Sequence, residues 1–83
     1  MNNVENVSTE ITVPFLTAYS GSFATKDGKE ISYYRMVIKS NRGVKELSIT
    51  EGLYDEVKDY GAGDISVKFV YDFEHEKARL DVL

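Results

Sequence analysis

Almost every segment of this chain alternates apolar with polar residues at a period of two, and one segment alone departs from it for a helical period. Side chains at period two line one face of a β-strand, so the pattern describes strands lying half-buried on a core. Glu10 to Tyr19 carries Ile11, Val13, Phe15, Thr17 and Tyr19 in this way. Pro14 falls among them and lacks a backbone donor, which restricts that strand to an edge or a bulge. In Glu30 to Lys39 one parity holds Tyr34, Met36 and Ile38, a core set, and the other holds Ile31, Tyr33, Arg35, Val37 and Lys39. The second set mixes aromatic, aliphatic and cationic side chains, which is awkward in a core and useful on a binding face. Val44 to Thr50 points Leu47 and Ile49 inward and Glu46 and Ser48 outward. Asp64 to Phe73 alternates Ile65, Val67, Phe69, Tyr71 and Phe73 with Ser66, Lys68, Val70 and Asp72, and Ala78 to Leu83 adds a last strand with Leu80 and Val82 on one side.

The exception is Glu51 to Tyr60, where Leu53, Val57 and Tyr60 stand at i, i+4 and i+7 and acidic residues fill the opposite side. That spacing predicts one short helix, ended by Gly61 or Gly63. Ser20 to Lys29 contains two glycines and an Asp27-Gly28 turn signal, so it predicts a mobile loop or a wide hairpin end. Ser40 to Gly43 and Glu74 to Lys77 predict tighter turns. Residues 1–8 show neither period and are expected as a disordered N-terminal tail, leaving 9–83 as a single domain.

Three strands, a helix and two strands make up the element order of the five-stranded OB barrel. The expected fold is therefore mostly β: a small OB-like antiparallel barrel with one short helix between strands three and four. Its rival is an open antiparallel sheet with a helix laid across it. At 83 residues the chain is too short for two domains, each of which would bury too little surface to offset its ordering entropy. It has no cysteine and one histidine, His75, so disulfide scaffolds and thiolate metal sites are excluded and an imidazole zinc site has little to draw on. Packing alone, or dimerisation, must hold the fold. No apolar run reaches membrane-spanning length and no targeting pattern opens the chain, so a cytoplasmic protein with no membrane partner is expected.

A net charge of −4 argues at first against a polyanionic partner. The charge is unevenly spread, however. From Ser20 to Thr50 the cations Lys26, Lys29, Arg35, Lys39, Arg42 and Lys45 face the anions Asp27, Glu30 and Glu46, a net of +3. From Glu51 to Asp64, Lys58 stands against Glu51, Asp55, Glu56, Asp59 and Asp64, a net of −4. A cationic groove is thus compatible with an acidic protein. In an OB barrel, strands two and three with the neighbouring loops commonly hold oligonucleotides. Those positions carry Phe23, Lys26, Lys29, Tyr33, Arg35, Val37, Lys39 and Arg42, the expected nucleic-acid-binding residues. Phe23 and Tyr33 are candidate platforms for stacked bases, and the cations are candidate phosphate contacts. Nothing in the chain has the pattern of a groove-reading helix, so sequence-independent binding of single-stranded DNA, or alternatively RNA, is the expected mode.

With Ser20-Gly21 opening the first loop, Gly28-Lys29 before strand two and Arg79-Leu80-Asp81-Val82 in the last strand, the chain resembles the small single-stranded-DNA-binding proteins of filamentous phages and, more broadly, OB-type strand-binding proteins of conjugative elements. The resemblance implies a role in replication or transfer of a phage or mobile element, with a replication or conjugation protein as a further partner. The family has a basic residue shortly before Gly-Lys, which Lys26 supplies. Its tyrosine just after that pair falls on Ile31 here, so the stacking role moves to Tyr33. The family's dimers join largely through the last hairpin, which implies a homodimer involving Tyr71, Phe73, Lys77 and Arg79.

Plainer explanations stand beside these. Tyr33-Tyr34 also suits a strand on β propensity alone, and Arg35 and Lys39 suit cross-strand ion pairs with Glu30 and Glu46. Glu74-His75-Glu76 reads as a solvated turn, because neighbouring residues do not converge on a metal without other ligands. There is no Gly-rich phosphate loop, Ser/His/Asp set or Cys/His pair, so neither catalysis nor a cofactor or metal is expected. The alternative function is an OB-like protein-interaction module, or an acidic DNA mimic binding a host factor.

Overall fold

The computed structural model describes residues 5–83. Its elements are β1 (Asn6–Ala24), β2 (Glu30–Ser40), β3 (Gly43–Ser48), α1 (Glu51–Val57), β4 (Gly63–Asp72) and β5 (Lys77–Asp81). The five strands form one antiparallel sheet in the order β3-β2-β1-β4-β5. The sheet curls until the two outer strands approach each other, and a parallel bridge between Ile49 and Leu80 joins them. The result is an OB-like half-barrel with its single helix between β3 and β4. No helix among the described residues is long and apolar enough to cross a membrane.

β1 carries the curl. Its first half, from Asn6 to Phe15, pairs with β4, and its second half, from Phe15 to Ala24, pairs with β2. The register slips between Phe15 and Thr17, so Leu16 is an extra residue where the strand changes partner. A bulge of this kind bends a strand and reverses which residues face the core. Pro14 stands beside it, where its missing donor is tolerated. Val13 and Phe15 are buried, whereas Thr17 and Tyr19 face outward, contrary to the single unbroken alternation expected for this strand.

The inner face gathers Val13, Phe15, Met36, Ile49, Leu53, Val57, Val67 and Leu80 into the core. α1 plugs one end of the barrel with Leu53 and Val57. Thr50 caps it: its Oγ1 accepts from the Leu53 N–H at 3.2 Å and donates to Asp81 Oδ1 at 2.9 Å, tying the helix start to β5. The helix stops at Val57, one turn before the expected Tyr60. Tyr60 leaves the helix and packs its ring edge-on against Phe15, with centroids 6.5 Å apart.

Two boundaries correct the sequence expectation. Asn6 to Ser8 belong to β1, opposite Asp72 to Val70, and the Phe73 N–H donates to the Glu5 carbonyl at 3.0 Å. This part of the expected tail is held by backbone pairing along β4, which leaves no trace in side-chain alternation. The rest of that tail, 1–4, lies outside the described residues. The expected loop from Ser20 to Lys29 is mostly strand as well: β1 runs on to Ala24, pairing Gly21 with Tyr33 and Phe23 with Ile31. Only Thr25 to Lys29 turns, with the Gly28 N–H donating to the Thr25 carbonyl at 3.0 Å and Gly28 at a φ of +84°.

Candidate nucleic-acid interface

Residues paired across an antiparallel ladder share a face. The register therefore puts Thr17, Tyr19, Gly21 and Phe23 of β1, Ile31, Tyr33, Arg35, Val37 and Lys39 of β2, and Val44, Glu46 and Ser48 of β3 on the outer side of the sheet. Five of the expected binding residues, Phe23, Tyr33, Arg35, Val37 and Lys39, are among them. Lys26 and Lys29 lie in and beside the β1–β2 turn at one end of β2, and Arg42 lies in the β2–β3 turn at the other. Across the 11 residues of β2, these ends are separated by about 33 Å.

Aromatic and cationic groups form a row along the face. The Phe23 and Tyr33 rings have centroids 6.4 Å apart and are inclined by 35°. The Arg35 guanidinium lies 5.3 Å from the Tyr33 centroid. Its Nη1 also donates to Ser48 Oγ at 3.2 Å and to the Tyr34 carbonyl at 3.4 Å. Gly21 makes the arrangement possible, because the Tyr33 ring lies across it. A Cβ on Gly21 would stand 2.3 Å from the Tyr33 hydroxyl and 2.5 Å from Cζ. A glycine that read as a loop signal thus provides the floor under an aromatic ring.

The cross-strand ion pairs considered for Arg35 and Lys39 do not form. Among the described residues the ion pairs are Lys58–Asp55, His75–Asp72 and Arg79–Asp72, and none of Lys26, Lys29, Arg35, Lys39 or Arg42 takes part. Glu46 instead accepts a hydrogen bond from the Tyr19 hydroxyl, which reaches it across β2. That bond, followed by partial desolvation and the carboxylate charge, raises the Tyr19 phenol above its ordinary pKa. Tyr19, Gly21 and Glu46 escape a strand-by-strand inspection because their roles depend on register between strands, and on the Leu16 bulge that turns Tyr19 outward. Pro14 was the one local sign of that bulge.

The residues expected at a dimer contact cluster at the far end of the molecule. Tyr71 and Phe73 stack edge to face with centroids 5.3 Å apart, and Lys77 lies opposite Asp72 in the ladder. Arg79 approaches the Asp72 carboxylate at 3.8 Å. Asp72 organises the turn: it accepts from the Glu74 N–H at 2.9 Å and lies 2.7 Å from His75 Nδ1. The histidine holds the Asp72 pKa below its ordinary value, and Asp72 raises that of His75. Asp72, Glu74 and His75 present ligand atoms within 4.8 Å of one another, with Asp72 in place of the Glu76 considered from sequence. Hydrogen bonds internal to the turn account for this grouping.

No protein-family model matches the chain, and neither the curated proteins nor the solved structures provide a match.

Proposed function

We propose that this protein binds single-stranded nucleic acid, DNA foremost, along the outer face of β1, β2 and β3. The observation that supports this reading is the row Phe23–Tyr33–Arg35 on an exposed sheet face whose cations have no carboxylate partners. Stacking on such rings is worth about 1–3 kcal/mol per base, and phosphate contacts add an electrostatic contribution, from counterions released when the protein binds, that weakens as the salt concentration rises. Both contributions are indifferent to sequence. The setting implied by the resemblance, coating or guiding single strands during replication or transfer of a phage or mobile element, is part of the same proposal.

Fluorescence titration with labelled oligo(dT) at low and moderate salt tests it. Expected are binding that falls steeply with salt, and losses of about five-fold or more for Tyr33→Ala and for Arg35→Ala, in keeping with one stacked base or one charge contact. Absence of binding at low salt removes the proposal and favours a protein partner.

A further inference from the structure

Glu46 is the one carboxylate among the residues that the β1–β2 and β2–β3 ladders place on the proposed binding face. A carboxylate there repels phosphate, so on a surface that serves only to hold a backbone it is a defect. Its surroundings give it a different use. Tyr19 sends its ring across β2 to donate to it, fixing where the carboxylate sits. No cation forms an ion pair with it, and Arg35, opposite Tyr19 in the ladder, is engaged with Ser48, the Tyr34 carbonyl and the Tyr33 ring. An ionised carboxylate offers about four lone-pair sites on its two oxygens, and the Tyr19 hydroxyl occupies one. The face therefore presents a partly exposed aromatic ring with a fixed hydrogen-bond acceptor, free of any ion pair, at its rim.

The group that suits such a corner is flat, stacks on a phenol ring and carries adjacent donors without a negative charge. Among nucleobases, guanine meets all three requirements: its N1–H and exocyclic N2 amino group lie side by side and match the two oxygens of a carboxylate. Cytosine and adenine each offer an amino group next to an acceptor. Thymine offers one N–H between two carbonyls, which a carboxylate opposes. We infer that Tyr19 and Glu46 form a base-reading subsite that takes a guanine, adding a preference to otherwise sequence-independent binding. The inference rests on the proposed nucleic-acid function and gives its face a specificity-determining residue.

The test uses the full chain and labelled twelve-nucleotide strands at one moderate salt concentration: oligo(dT), the same strand with isolated guanines, and the same strand with inosines, which lack the N2 amino group. Wild-type protein is expected to bind the guanine strand about ten-fold more tightly than oligo(dT), the scale of one good bidentate base contact, with the inosine strand in between. Glu46→Gln, an exposed change checked for folding by circular dichroism, is expected to bring the guanine and thymine strands within about two-fold while retaining binding to oligo(dT). Tyr19→Phe keeps the ring, frees the carboxylate and is expected to lose part of the preference. Equal affinity of the wild type for guanine and thymine strands overturns the inference and leaves the binding function standing, as does a guanine preference that survives Glu46→Gln. Failure of every strand to bind overturns both.

Discussion

Gly21 and Tyr33 show how one residue sets the geometry of another across a strand pair. The ring lies where a Cβ would be, so Gly21→Ala must displace it. The far end of a tyrosine swings cheaply, and the strand survives the change. Gly21→Ala is therefore expected to alter stability by less than about 1 kcal/mol. It should nevertheless shift the Phe23 and Tyr33 ring resonances and weaken oligonucleotide binding several-fold. Unchanged ring resonances in the variant's proton spectrum count against the contact. The same pair shows what one sequence can reveal. Tyr33, Arg35, Val37 and Lys39 were legible as one face because they alternate within a single strand. Glu46 was legible as outward on its own strand, but its bond to Tyr19 was not, and Gly21 joins that face only through register, a relation between strands that no local pattern records. Tyr19 was doubly concealed, since the bulge at Leu16 moved it off the core parity it shares in sequence with Val13 and Phe15.

At the scale of elements, the type and order of all six were legible, because half-buried strands and one amphipathic turn write their periods into the chain. Their ends were not, because pairing supplies what composition withholds: polar Asn6 to Ser8 extend β1 along β4, and Gly21 to Ala24 extend it along β2. The β4–β5 hairpin is where protonation acts. His75 has a raised pKa, so its contribution to stability is complete below the unfolded value of 6.5 and is lost as pH rises through the folded value. Asp72 has a lowered one, so its contribution is present above 3.8 and is lost as pH falls through the folded value. The two describe one interaction, strongest between those titrations and screened because the histidine is exposed. Thermal unfolding at about pH 5.5 and about pH 8 should show a fall in Tm for the wild type that shrinks in His75→Ala. Identical falls in both proteins exclude the pair as its source.

The molecule as a whole is more extended than its length requires. Its radius of gyration is 14.3 Å, against about 12 Å for a compact domain of this size. The excess has a structural source: β4 leaves β1 at Phe15 and β3 joins β2 only from Arg35, so Gly21 to Tyr33 forms a two-stranded arm beyond the barrel. No residue from 19 to 33 belongs to the core or packs against it. Stability and the proposed binding should therefore respond to different substitutions. Phe15→Ala, at a residue 1% exposed, is expected to cost about 3–5 kcal/mol in denaturant unfolding. Phe23→Ala, at one 53% exposed, is expected to cost less than about 1 kcal/mol while weakening oligonucleotide binding. Comparable losses of stability in the two variants refute the division.

That division bears on how such a chain changes over generations. A substitution in most proteins is judged on folding and on activity together, and much variation is discarded for the first reason. On the arm, a new ring, charge or turn bears little on folding, and is screened chiefly for its effect on the proposed binding. The ribbon is thus a segment that can be exchanged or lengthened by natural drift or in a library, with the barrel carrying each version unchanged.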